Sequence, residues 1–154
     1  MQFKYGKVVF GHKDTYSAEP VLSNIIADWL QKFRDTLYEH RDKDYIGCPQ
    51  RILSDYFEHK CEYTDAEVKA GLDKWLTLVD EMIYAFRNVE PEYNGGWVEG
   101  EGHGEETTEG LFQWRILPKD EQAYKTYQDE CDKHYQRVKR GRELFAKYYD
   151  DLWW

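Results

Sequence analysis

Residues 64–88 carry the pattern that most restricts how this chain can fold. Val68, Leu72, Trp75, Leu76, Val79, Met82, Ile83 and Phe86 recur at steps of three and four, which lines eight apolar side chains along one helical stripe. Thr64 with Glu67 three residues on has the spacing of a capping box, so the start of this helix is marked as well. A helix of about 24 residues spans roughly 36 Å at 1.5 Å per residue. A stripe of that length needs partners of similar length to be buried.

Two such partners are legible. Val21, Leu22, Ile25, Ile26, Trp29, Leu30, Phe33 and Leu37 repeat the stripe, which predicts a helix over about 18–39. Ser17 is placed to cap it, and Pro20 falls in its first turn, where amides have no intrahelical partner. From 120 to 152, Tyr124, Cys131, Val138, Phe145 and Leu152 fall seven apart, with Tyr127, His134, Gly141 and Tyr148 between them. This is an a/d seam that faces either the other two helices or a second copy of the chain. Gly141 lacks a side chain in mid-helix and would admit a neighbouring backbone closely. A shorter helix is predicted from Pro49, carrying Ile52, Leu53, Tyr56 and Phe57.

The remaining segments read differently. Residues 2–10 and 111–117 have the aromatic and β-branched content of two strands, and pairing them would make a small two-stranded β element. Between 90 and 110 lie six glycines and seven glutamates with no Lys or Arg. That composition predicts a long, mobile acidic loop, with a hairpin turn signal at Asn94-Gly95. The expected architecture is therefore mainly α: a single helical domain over 1–154, with three long antiparallel helices, one short helix and the small β element.

Charge and cysteine content restrict function more than they reveal it. A formal charge of -9 disfavours direct nucleic-acid binding and docking on an anionic membrane. No apolar run reaches the length of a membrane span, and the three cysteines read as free thiols in a reducing cytoplasm. Cys48, His59 and Cys61 are close in sequence but lack zinc-site spacing, and the glycine-glutamate run lacks the ordered ligand positions of a calcium loop. No nucleophile elbow, phosphate loop or dinucleotide fingerprint occurs. These patterns predict neither metal nor cofactor, and no catalytic residue; the chain does not read as an enzyme.

What stands out is charge segregation. Lys133, Arg137, Lys139, Arg140, Arg142 and Lys147 crowd the last helix, while glutamates crowd the glycine loop. The basic face could take a nucleotide-type anion through Arg137, Arg140 and Tyr148. The acidic loop with its tryptophan (Trp97, Glu99, Glu101, Glu105, Glu106) could instead steer onto a protein partner. Trp153 and Trp154 either dock on the chain's own core or plug a pocket on another copy or partner.

Three blocks also resemble those of a family of small tailed-bacteriophage proteins. They are Asp14-Thr15-Tyr16-Ser17, then Asp80-Glu81-Met82-Ile83-Tyr84-Ala85-Phe86, and Leu144-Phe145-Ala146-Lys147-Tyr148 running on to Leu152-Trp153. The family has Trp where this chain has Tyr16, and Gly where it has Ala146. The resemblance implies a phage protein acting in the cytoplasm of an infected bacterium, and it brings no catalytic residues. The expected function is a non-enzymatic accessory protein that binds a host or phage protein, in counter-defence or host takeover. The alternatives are a sponge for a nucleotide-type ligand and a minor virion structural protein. A homo-oligomer through the 124–152 seam is a further expectation.

Overall fold

A computed structural model describes residues 2–4, 7–9, 18–41, 48–58, 60–87, 103–106, 112–115 and 120–152, with side chains described for 19–41, 48–58, 60–87 and 120–152. The elements are β1 (Gln2–Lys4), β2 (Lys7–Val9), α1 (Ala18–His40), α2 (Gln50–Tyr56), α3 (Asp65–Arg87), β3 (His103–Glu106), β4 (Phe112–Arg115) and α4 (Glu121–Tyr148). Among the described residues the protein is mainly helical, with three long helices and one short one, as the stripes predict. The last predicted helix changes character near its end: α4 tightens at Tyr149–Asp151 into a single 3-10 turn. No helix among the described residues is long and apolar enough to cross a membrane.

The helix starts show why these boundaries hold. The Thr64 amide donates to Glu67 Oε2 at 3.0 Å, and the Glu67 amide donates back to Thr64 Oγ1 at 3.3 Å. Two amides that the helix itself leaves unpaired are thereby satisfied. Asp120 does similar work for α4, its Oδ1 accepting from the Ala123 amide at 2.9 Å. Pro49 lies one position earlier than predicted, just outside α2, where its carbonyl accepts from the Ile52 amide at 2.9 Å. The predicted Ser17 cap lies outside the described residues.

The described strands pair locally. β1 runs antiparallel to β2, with Phe3 opposite Val8, and β3 runs antiparallel to β4, with Gly104 opposite Trp114. The predicted partnership of 2–10 with 111–117 is therefore not the one the described strands make. Local closure orders a much shorter loop than joining strands a hundred residues apart. Within the predicted 90–110 loop, residues 103–106 form β3; Asn94-Gly95 lies outside the described residues.

Two compact units divide the chain: Met1–Val89 together with Arg137–Trp154, and Glu90–Gln136. The second contains the β3–β4 hairpin and the first half of α4, where Tyr124, Tyr127 and Cys131 are half-buried and His134 is buried. In the first, α1 and α3 run antiparallel. Gln31 meets Arg87, Arg34 meets Asp80 and Arg41 meets Asp73, so one number rises as the other falls.

The core of that first unit is centred on Trp75. Its ring is fully buried, edge-on to Phe33 of α1 at 6.4 Å and to Tyr148 of α4 at 5.6 Å. Leu30, Ile52, Val79 and Met82 pack around it with no exposed surface to speak of. Two glycines set how closely the helices approach. A side chain on Gly71 would strike Leu53 Cδ2 at 2.6 Å, so α2 lies directly on α3 there. At Gly141, as its position in the seam predicts, the neighbouring helix backbone comes in: a Cβ would run into the Glu81 carbonyl and lie 2.5 Å from Ala85 Cβ.

The second half of the seam is thus covered within the chain. Val138, Gly141, Tyr148 and Leu152 are buried without a second copy. For Gly141→Ala, better helix propensity alone would add about 1 kcal/mol of stability. The clash with the α3 backbone costs more, so the variant is expected to be about 1–2 kcal/mol less stable, read from its urea midpoint. A higher midpoint would mean that α4 does not cross α3 at this glycine.

Candidate functional site

Among the described residues, charged and polar groups converge most densely where α2 meets the end of α4. The Asp55 carboxylate accepts from Lys147 Nζ at 2.7 Å and from the Tyr148 hydroxyl at 2.8 Å, both on Oδ2. Arg51 reaches across to the end of α4 and donates to the Lys147 carbonyl at 2.9 Å. Carbonyls in the last turn of a helix lack intrahelical donors and carry partial negative charge, so a guanidinium suits that position. Arg51 also lies 3.8 Å from Asp151 Oδ2, an ion-pair distance rather than a hydrogen bond, and this oxygen is buried with no hydrogen-bond partner.

The protonation behaviour of this cluster is that of a clasp. Hydrogen bonds from Lys147 and Tyr148 hold Asp55 below the usual carboxylate range. The same bond to Asp55 raises Lys147, and burial raises Tyr148. Burial, with a smaller push from Asp151, lifts the Cys48 thiol to about 12. Glu81 is lowered by its hydrogen bonds from Arg137, and Glu67 falls to about 2 through Lys60 and the capping box. Each of these shifts moves a group away from neutrality, the opposite of what a general acid or base working near pH 7 needs.

The predicted ligand residues are not gathered into one site. Arg137 grips Glu81 with two donors, at 2.9 and 2.8 Å, and lies 3.7 Å over the Tyr84 ring. Tyr148 is buried against Trp75, its hydroxyl already engaged by Asp55. Arg140 is exposed. Arg137 and Tyr148 are eleven residues apart on one helix, roughly 16 Å along its axis. Of the predicted partner-binding residues, Trp97, Glu99, Glu101, Trp153 and Trp154 lie outside the described residues, and Glu105 and Glu106 are described only as part of β3.

Cys48 is buried, Cys61 exposed and Cys131 half-buried, and all three are free thiols. No group of three or more His, Cys, Asp or Glu is placed to hold a metal among the described residues. His59 lies outside them.

The second feature of note is apolar, and no sequence pattern singled it out. Along the outer edge of α1, Leu22 and Trp29 are 46% and 48% exposed, large values for side chains of this kind. Trp29 stacks on Phe33 at 5.7 Å with the rings 11° from parallel. Beside the pair opens a cavity of about 180 Å³ lined by Trp29, Lys32, Phe33, Thr36 and Leu152. Leu22 and Trp29 are seven apart, so a stripe count assigns them to the buried face. In fact Ala27, Leu30, Phe33 and Leu37 hold that face, and the stripe is wider than its core.

No family model matches the chain, nor does any curated protein or solved structure. The two described blocks behind the phage resemblance sit at packing positions. Asp80 pairs with Arg34, Met82 and Ile83 are buried, Ala85 faces Gly141, and Phe86 meets Phe145 at 4.9 Å. Those residues account for how the helices meet.

Two pH responses follow. An Asp55 carboxyl lowered on folding contributes stability above the ordinary carboxylate value of 3.8, lost as pH falls through its lower folded value. Asp55→Asn should reduce that acid dependence and cost about 1–2 kcal/mol at neutral pH. A thiol raised from 9.0 to about 12 does the reverse: its contribution is complete below pH 9 and lost as pH rises towards 12. Cys48→Ala should flatten the alkaline decline, measured as unfolding free energy between pH 8 and about 11.

Proposed function

We propose that this is a non-enzymatic accessory protein of a tailed bacteriophage that binds a host or phage protein in the cytoplasm of the infected bacterium, in counter-defence or host takeover. The observation that carries the binding role is the α1 edge, where a half-exposed Trp29 borders a cavity of about 180 Å³. Half-buried tryptophans beside pockets are the side chains that contribute most when protein surfaces associate. The direction of the resolved pKa shifts, all away from neutrality, supports a binding role over a catalytic one. The resemblance of the blocks at 80–86 and 144–153 supports the phage setting. The acidic segment with Trp97, Glu99, Glu101, Glu105 and Glu106, and the terminal Trp153 and Trp154, are proposed as further contacts. A nucleotide sponge gains nothing from Arg137 and Tyr148, whose polar groups already have partners.

The test is affinity capture from lysate of infected bacteria, with the tagged chain and its Trp29→Ala variant compared by quantitative mass spectrometry. One protein should be recovered near stoichiometry by the first and reduced at least tenfold by the second. No stoichiometric partner, or one indifferent to Trp29, would count against this reading.

A further inference from the structure

The short helix α2 cannot persist on its own. Seven residues barely exceed the costly first turn of a helix, so α2 is stable only where it docks. Two sets of contacts dock it. On one side Ile52 and Leu53 are buried. A Cβ placed on Gly71 would meet Leu53 Cδ2 at 2.6 Å and Cys48 Sγ at 3.0 Å, so Leu53 and Cys48 share the notch that this glycine leaves in α3. On the other side Arg51 and Asp55, one helical turn apart on one face, both reach the last turn of α4. Asp55 accepts from Lys147 and Tyr148, and Arg51 donates to the Lys147 carbonyl.

The contacts that join the long helices are of another kind. α1 meets α3 through Phe33 on Trp75 and through Arg34 on Asp80. α4 meets α3 where Tyr148 packs on Trp75 and where Gly141 lies against the Glu81 carbonyl. None of these pairs includes a residue of α2. The side chains of Arg51 and Lys147 are each 48% exposed and that of Asp55 33%, so the polar grip is screened by solvent. A segment held by two buried side chains and a solvated clasp opens at a lower free energy than the whole core.

We propose that α2 detaches from α3 and from the end of α4 as one unit while the three long helices stay packed, and that the Asp55 clasp sets how often it does so. Detachment lifts Leu53 and Cys48 together out of the notch at Gly71. Cys48 is separated from α2 by Pro49 alone, whose ring fixes one backbone angle of the junction. The open form presents a thiol and a glycine-floored strip of α3 that the closed form covers. This holds whether or not the α1 edge binds a protein.

The experiment follows the Cys48 thiol in the full chain carrying Cys61→Ser and Cys131→Ser, so that one thiol remains. Labelling by N-ethylmaleimide is read by mass spectrometry, in the range where its rate rises linearly with reagent and so reports the open population. In water the labelling should exceed what the urea-unfolding free energy allows. It should depend on urea with much less than the equilibrium slope, because local opening exposes little surface. Asp55→Asn should raise the rate about tenfold, the scale of a lost charge-assisted hydrogen bond. Phe86→Leu loosens the contact with Phe145, roughly 22 Å along α3 from Gly71. It should lower the urea midpoint and leave labelling in water unchanged.

Labelling that follows global unfolding, a rate unmoved by Asp55→Asn, or a rise with Phe86→Leu matching its loss of stability would each overturn the proposal. So would immediate labelling at the rate of a free thiol, since α2 would then not cover Cys48. The urea dependence requires no change at Asp55 and decides the matter even if that variant fails to fold.

Discussion

The buried ring of Trp75 holds this arrangement of helices together. It is met edge-on by Phe33 from α1 and by Tyr148 from α4. Edge-to-face contacts of this kind are directional, so they constrain the angle at which the helices meet as well as their proximity. Tyr148 brings in the remaining helix, because a phenol buried this deeply requires a hydrogen-bond partner and finds it in Asp55 of α2. One indole thus links three long helices directly and the short one at one remove. Gly141 makes the approach of α4 possible, since any larger residue would hold that helix away from α3.

Around this core the basic character of α4 has a structural use. Arg137, Arg142 and Lys147 pair with Glu81 of α3, Glu19 of α1 and Asp55 of α2. Steps of five residues turn a helix by about 140° each, so the three cations point in three directions and each reaches a different helix. Exposed pairs contribute little apiece, yet together they favour one orientation of α4 over its rotated alternatives. What looks in sequence like a stripe for an anionic ligand is in good part a set of tethers.

The helical architecture was legible because its cause is local. A repeat of three and four, a capping pair such as Thr64 and Glu67, and a break at Pro49 act over a single turn, and a linear string records them in full. Gly141 was legible for the same reason: a glycine within an apolar seam has few uses besides close approach. Gly71, which does the same work beneath α2, gave less warning, because its partner is a short helix whose position no periodicity reveals. Strand pairing was less legible than the helices, because the residues of β4 fit more than one partner; β4 pairs with β3, the nearer one. Tyr148 was read as a ligand contact since tyrosine suits either surface or core, and only Asp55 and Trp75 around it decide the matter.

The sequence by itself determined that there would be long amphipathic helices, where they begin, and that one of them would admit a neighbour at a glycine. These follow from backbone geometry and side-chain period within one segment. Tertiary structure alone decided which apolar residues of the stripe stay in solvent, which cations meet carboxylates of other helices, and that Leu152 lines a recess beside Trp29, more than a hundred positions away. Each of those depends on distances between segments, and a stripe wider than the surface available to cover it does not say which of its edges will remain exposed.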